Sequence, residues 1–226
     1  MKKFALIVAG GIGSRMQSEL PKQFMEIHSS PIIIHTIKRF IPVSDQIILV
    51  LPKEFLTYWN TLKEKYLPNV NIVVSVGGAT RTQSVKNGMM MVDDNDSLVA
   101  IHDAARPFVS IESIQQCYKV AEQSGSGVLA VPLKDSIRKL KIDGSIQCDR
   151  AEYVLMQTPQ AFQVSLLRKA LEEVVGEFTD DASLVEASGH KIMLVEGTYE
   201  NIKITTPEDI LIGEAIFGFQ TKTKDS

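Results

Sequence analysis

The segment Gly10-Gly11-Ile12-Gly13-Ser14-Arg15-Met16 follows a short apolar run, and Lys22 follows it within Leu20-Pro21-Lys22-Gln23-Phe24. Glycines in such a loop let backbone N–H groups approach an anion closely. Three nucleotide-loop types compete. A Walker-type loop ends in Gly-Lys-Ser/Thr, which is absent here. A dinucleotide loop matches Gly11 and Gly13 but needs a third glycine where Met16 stands. It also needs an acidic residue about 20 positions further on, and Ile32-Ile33-Ile34-His35 supplies none. What remains is a glycine loop with two cations, Arg15 and Lys22. A triphosphate reacting at its α-phosphorus spreads charge over its equatorial and leaving oxygens. An arginine fork and a lysine point charge beside it stabilise that charge without a covalent intermediate. Either cation alone reads as an ordinary solvated loop charge; the adjoining glycines reverse that preference.

Three further groups can do chemistry. Gly77-Gly78-Ala79-Thr80-Arg81-Thr82-Gln83-Ser84 can hold a base or ribose through backbone groups, or can be a plain capped turn. In His102-Asp103-Ala104-Ala105-Arg106-Pro107, Asp103 can bind a hydroxyl, help position a metal ion, or simply pair with Arg106. His102 has no second ligand at metal spacing and reads as structural. Lys203 follows Asn201-Ile202; on a strand, Asn201 and Lys203 would share one face, and a surface lysine is the plainer reading. Met156-Gln157-Thr158-Pro159-Gln160-Ala161-Phe162 reads as a rigid polar turn.

These residues need elements to position them. Apolar runs at 4–9, 47–51, 72–76, 98–101 and 128–131 are predicted strands. Helices are predicted over 32–40, 54–66, 80–92 and 110–123, with Thr80 or Thr82 and Ser110 as N-caps. This alternation specifies an α/β fold with a parallel sheet and helices on both faces. Ligands in such folds sit beyond the carboxyl ends of the strands. Residues 136–148 break the rhythm: Asp143-Gly144 between alternating segments predicts a hairpin with a type I′ turn, leaving the sheet as an arm. Helices at 164–175 and 181–187, a strand at 191–195 and a helix opening at Thr206-Pro207-Glu208-Asp209 complete the chain.

With 226 residues and no repeat or linker, residues 1–226 read as one domain, the arm spanning about 134–156. A net charge of −3 argues against a general nucleic-acid binder. Cys117 and Cys148 lack metal spacing and read as free thiols. The N-terminal apolar run is six residues long, too short for a secretion signal, and no stretch has membrane-spanning length. A soluble, cytoplasmic protein that does not touch membranes is expected.

Taken together, the motifs Ala9-Gly10-Gly11-x-Gly13-x-Arg15-Met16, Pro21-Lys22-Gln23, His102-Asp103-Ala104-Ala105-Arg106-Pro107, Thr158-Pro159-Gln160, Thr179-Asp180-Asp181-Ala182-Ser183 and Asn201-Ile202-Lys203 resemble the 2-C-methyl-D-erythritol 4-phosphate cytidylyltransferases of non-mevalonate isoprenoid synthesis. The resemblance runs to about Ile216. It implies a Rossmann-like, three-layer nucleotidyltransferase domain with a mostly parallel sheet and a protruding β-hairpin arm. It also implies CMP transfer from CTP to the methylerythritol phosphate, with Mg²⁺ held mainly through the CTP phosphates. Arg15 and Lys22 would stabilise the transition state, and Arg150 and Lys203 would position the acceptor. Ala9, Gly10, Gly11, Gly13, Gly78 and Ser84 would bind the nucleotide; Asp103, Ala104, Arg106, Ser136 and Thr158 would line the acceptor site. The family uses its arm in a homodimer, so Ser136 and Arg150 would serve the neighbouring subunit. Three departures stand out: Val8-Ala9-Gly10-Gly11 where the family often has Pro-Ala-Ala-Gly, Ser136 for threonine, and Ala79 for an acidic residue. The first points toward the sister ribitol-5-phosphate cytidylyltransferases; Asp103-Ala104-Ala105-Arg106 and Asp181-Ala182-Ser183 point back. A non-catalytic nucleotide sensor is the alternative of a different class.

Overall fold

A computed structural model of the chain describes residues 1–10 and 20–222. Its strands are β1 (Lys3–Val8), β2 (Glu26–Ile27), β3 (Ser30–Pro31), β4 (Gln46–Leu51), β5 (Ile72–Val76), β6 (Leu98–Asp103), β7 (Ser126–Pro132), β8 (Arg138–Lys141), β9 (Gly144–Gln147), β10 (Val154–Gln163) and β11 (Leu194–Glu196). The helices are α1 (Ile32–Phe40), α2 (Leu56–Tyr66), α3 (Arg81–Met89), α4 (Ile111–Ser124), α5 (Val164–Glu173), α6 (Asp181–Ala187) and α7 (Pro207–Lys222). Seven strands form one sheet in the order β11-β7-β10-β6-β1-β4-β5. Only β10 runs antiparallel to its neighbours β6 and β7. The mostly parallel α/β sheet expected from the apolar runs is present.

Alternation along the central strands builds the layers, because successive side chains point to opposite faces. Ala5 and Ile7 of β1 join Ile47, Leu49 and Leu51 of β4 on one face, against Ile33, Ile37 and Phe40 of α1, Trp59 of α2 and Tyr118 of α4. Phe4 and Leu6 join Ile48 and Val50 on the other, against Val85 and Met89 of α3 and Leu167 and Val185 of α5 and α6. Both faces are therefore dry, as parallel strands require. A smaller cluster of Ile27, Ile32, Phe108, Ile204 and Phe217 seats α7. No helix among the described residues is long and apolar enough to cross a membrane.

The N-caps follow local chemistry. Thr80 accepts from the Gln83 N–H, Ser110 from the Ser113 N–H and Asp180 from the Ser183 N–H, each satisfying a donor at a helix start. At the start of α7 the Asp209 carboxylate reaches back to the N–H groups of Thr205 and Thr206.

Three sequence readings need correction. Residues 156–162, read as a rigid turn, lie within β10, and a register shift between Met156 and Gln160 contains the cis Thr158–Pro159 bond. The arm pairs β8 with β9, but Lys141 lies opposite Gly144, so its loop residues are Ile142 and Asp143. Asp143 has no positive φ, so the turn is not type I′. Residues 201–205 form no strand, and Asn201 is buried rather than sharing an open face with Lys203.

Close packing of α3 on the sheet depends on Gly88. A Cβ there would lie 2.5 Å from Leu6 Cδ1 and 2.8 Å from Val50 Cγ2. Gly88→Ala is therefore expected to destabilise the fold by about 1–3 kcal/mol, against a helix-propensity gain of about 1 kcal/mol. Thermal unfolding checks this; an unchanged or higher Tm would contradict it.

Candidate active site

The carboxyl ends of β1, β4 and β6 converge on one cleft. The Ala9 N–H donates to the Val50 carbonyl, the Gly77 N–H to Leu51 and the Ala104 N–H to Val8, which ties the loops beyond these strands together. The open cleft is lined by Ala9, Gly10, Lys22, Gly78, Ser84, Asp103, Ala104 and Lys203, all singled out from the sequence, and by Arg81. Lys22 is held by its neighbours. Gln23 is buried and donates from Nε2 to the Ala9 carbonyl at 2.7 Å, and Phe24 is buried against the rings of Phe55 and Tyr58.

Opposite, Ser84 supports the second glycine pair. Its hydroxyl donates to the Thr80 carbonyl at 3.0 Å and accepts the Gly78 N–H at 3.0 Å. Ser84 thus fixes the shape of the Gly77-Gly78 turn, and the neighbouring backbone is what faces the cleft. Ala79 lines the same wall. The position where the resembled family often carries an acid offers no charge here.

A second cleft adjoins the first and shares Arg81, Asp103 and Lys203 with it. Arg106, Gln157, Thr158, Gln160, Asp180 and Ser183 are among the other residues of its wall. The Asp103 carboxylate lies 2.9 Å from Lys203 Nζ and 3.3 Å from Arg106 Nε. Burial alone would raise its pKa. Lys203, Arg81 and Arg106 outweigh burial and hold the carboxyl well below the usual range. Asp103 is therefore an anion throughout the neutral range, set among three cations. The Asp–Arg turn pair weighed from the sequence exists, and Lys203 joins it.

Distant residues support this arrangement. Arg106 Nη1 donates to the Asn201 carbonyl at 2.8 Å. Asn201 Nδ2 donates to the Thr158 carbonyl and to Gln157 Oε1, and Gln157 Nε2 donates to the Thr198 carbonyl. The segment carrying Lys203 is thus pinned to β10 by buried amides. Arg81 pairs with the buried Asp181 at 2.6 Å, joining α3 to the start of α6. Gln160 bonds both Asp180 and the Ala182 N–H, joining β10 to the same helix start.

Arg81, Gln157 and Gln160 were missed as site residues. Arg81 carried one available signal, its place beside the glycine pair at a helix start. Ser136 and Arg150 do not join these clefts; both are exposed and line a separate pocket at the base of the arm. Arg150 there donates to the Lys134 carbonyl. Gly11, Gly13 and Arg15 lie outside the described residues.

Arranged this way, one cleft presents backbone glycines and a lysine and the other a carboxylate, cations and hydroxyl groups. Lys203 stands between them. The geometry suits joining two phosphorylated molecules at a shared boundary. Known proteins carry the same arrangement of sequence. The sequence pattern of the 2-C-methyl-D-erythritol 4-phosphate cytidylyltransferases matches residues 4–218. The enzyme of that name from Bacteroides thetaiotaomicron is 47% identical over 219 residues, covering 96% of this chain and all of the relative. The one from Clostridium novyi is 41% identical, covering 95% of this chain and 96% of the relative. Among solved structures, 4-diphosphocytidyl-2C-methyl-D-erythritol synthase from Anaerococcus prevotii superposes with a TM-score of 0.84 at 30% identity, covering 96% of each chain. The Francisella tularensis 2-C-methyl-D-erythritol 4-phosphate cytidylyltransferase gives 0.79 at 33% identity, covering 94% of this chain and 98% of that one. The chain belongs to the 2-C-methyl-D-erythritol 4-phosphate cytidylyltransferase family.

Proposed function

We propose that this protein transfers CMP from CTP to 2-C-methyl-D-erythritol 4-phosphate, releasing pyrophosphate and forming 4-diphosphocytidyl-2-C-methyl-D-erythritol. The observation that carries this reading is the pair of clefts meeting at Asp103 and Lys203. An oxygen of the acceptor phosphate attacks the α-phosphorus of CTP. The bond from that phosphorus to the bridging oxygen breaks, and pyrophosphate leaves with the electron pair. The attacking phosphate is already ionised at neutral pH, so no general base is required. This accords with a site rich in cations and poor in proton acceptors. Orientation and charge neutralisation then supply the rate.

In this mechanism Ala9, Gly10, Gly78 and the Ser84-supported turn cradle the nucleotide, together with Gly11 and Gly13. Lys22 and Arg15 stabilise the charge developing at the α-phosphate. Lys203 sits where both phosphates must approach and draws them together. Asp103, Arg106 and Thr158 receive the acceptor, and Ala104 lines the adjoining nucleotide cleft. Ser136 and Arg150 belong to the neighbouring subunit's site in a homodimer built through the arm. Their exposure on the arm, apart from Lys203, supports that reading.

Asp103 is the only carboxylate lining the nucleotide cleft among the described residues, and it already faces Lys203 and Arg106. No cluster of three potential metal ligands occurs among the described residues. Mg²⁺ commonly takes one or two carboxylates and completes its shell with phosphates and water. The residues fit an ion held mainly through the CTP phosphates, Asp103 being already engaged by Lys203 and Arg106. When bound, such an ion would neutralise phosphate charge. Two unpaired cysteines accord with a cytoplasmic setting.

The test is pyrophosphate release with CTP and Mg²⁺, offering 2-C-methyl-D-erythritol 4-phosphate and ribitol 5-phosphate separately. Release with the first acceptor is expected. Turnover with ribitol 5-phosphate alone would overturn the acceptor, and CTP binding without release would make the chain a sensor. Lys22→Ala is expected to lower kcat by ~10²-fold or more. Lys203→Ser should produce a comparable loss in kcat/KM for the acceptor phosphate. Steady-state kinetics check both, and near-wild-type turnover in either variant would remove the assigned role.

A further inference from the structure

Among the fully buried titratable side chains that the mechanism leaves unused, His102 alone adjoins a site residue, immediately preceding Asp103 at the end of β6. Its ring packs against Phe40 of α1, with centroids 4.9 Å apart. Its two nitrogens have different partners. Nε2 lies 3.0 Å from the Arg106 carbonyl oxygen and Nδ1 lies 3.0 Å from Thr158 Oγ1. A carbonyl only accepts, so Nε2 must carry the proton. Burial lowers the pKa of the ring to about 4, the charges of Arg106 and Lys203 adding to that effect against the pull of Asp103 and the Arg106 carbonyl. The ring is fully buried and neither of its partners is an anion, so the neutral form is held, Nδ1 is bare, and the Thr158 hydroxyl must donate to it.

Thr158 Oγ1 also accepts the Asp103 N–H at 3.1 Å. Its proton and one lone pair are thus committed inside the protein, leaving one lone pair on a side chain that lines the acceptor cleft. The same imidazole closes the turn that presents Asp103 and Arg106. The Arg106 N–H bonds the Asp103 carbonyl at 3.1 Å, and His102 holds the Arg106 carbonyl from behind. One ring therefore fixes the carboxylate, the guanidinium and the hydroxyl of the acceptor cleft relative to one another.

We infer that His102 is a positioning residue that locks the Asp103–Arg106 turn and makes Thr158 an acceptor-only hydroxyl, so that Thr158 receives a hydroxyl group of the acceptor and not its phosphate. This deepens the cytidylyl-transfer reading and rests on it for the identity of the acceptor. A phosphate oxygen at neutral pH offers no proton to the remaining lone pair, whereas a polyol hydroxyl does. The acceptor phosphate must then go to the cations, and the polyol chain to Thr158.

The first measurement is independent of catalysis. Long-range ¹H–¹⁵N NMR of the imidazole at pH 6 to 7 should show His102 neutral, with Nε2 protonated and Nδ1 bare. The opposite tautomer, or an imidazolium at pH 6, would overturn the inference whatever the substrate proves to be. The second is kinetic. His102→Phe keeps ring volume and removes both bonds; it should lower kcat/KM for the acceptor at least ~10-fold while KM for CTP stays within about 3-fold. His102→Asn, whose amide oxygen can accept from Thr158, should restore part of the loss. Should the buried variants fail to fold, Thr158→Val carries the test, with a raised acceptor KM expected and Thr158→Ser recovering most of it. A fall in Tm with unchanged acceptor kinetics at temperatures below unfolding would leave His102 only a structural role and overturn the proposal. If wild-type protein releases no pyrophosphate with the acceptor, the functional reading fails and the NMR result alone decides the state of His102.

Discussion

A largely buried carboxylate surrounded by cations organises both clefts. Desolvating Asp103 would be unfavourable without Lys203 at 2.9 Å, Arg106 at 3.3 Å and the field of Arg81. The arrangement also restrains the cations. Without an anion between them, Lys203 and Arg106 would repel each other and spread toward solvent. Asp103 holds them at fixed positions while leaving Lys203 partly exposed, able to meet a phosphate from either cleft. Partial neutralisation keeps the site from acting as a general anion trap, which suits a chain whose net charge is −3.

This constraint reaches back into the fold through hydrogen bonds. Asp103 stands at the last position of β6, paired with Val8 at the end of β1, so the sheet sets its height at the carboxyl edge. Lys203 arrives from the segment before α7, and its position is set by Asn201, Gln157 and Arg106. Arg81 arrives from the start of α3 and is held by Asp181 of α6. Elements distant in sequence thus converge because each carries one polar group whose burial needs a partner from another. Such networks are costly when incomplete and rigid when satisfied, and rigidity is what positioning chemistry requires.

Much of this was legible in the sequence where the signal is local. The Val- and Ile-rich runs of β1, β4, β5, β6 and β7 mark buried strands, and Thr80, Ser110 and the 181–187 helix follow capping chemistry. Lys22, Asp103, Arg106, Lys203 and Thr158 were singled out, and the structure brings them to two adjoining clefts. What was missed depends on distant partners. β10 hides behind Pro159 and behind Gln157, Thr158 and Gln160, polar residues buried in a sheet because Thr198, Asn201, His102 and Asp180 satisfy them. Arg81 was not singled out because its partner Asp181 lies 100 residues away. The arm's hairpin was visible, but its turn lies one residue earlier than Asp143-Gly144 suggested.

Asp103 fixes the cations that join the two substrates. Kinetics of Asp103→Asn measure this most directly, since the amide keeps the shape and removes the charge. A folded protein is expected, with kcat/KM for the acceptor reduced by roughly 10²-fold, the scale seen when reacting groups are misplaced by about 1 Å. Folded Asp103→Asn protein turning over at the wild-type rate would contradict it.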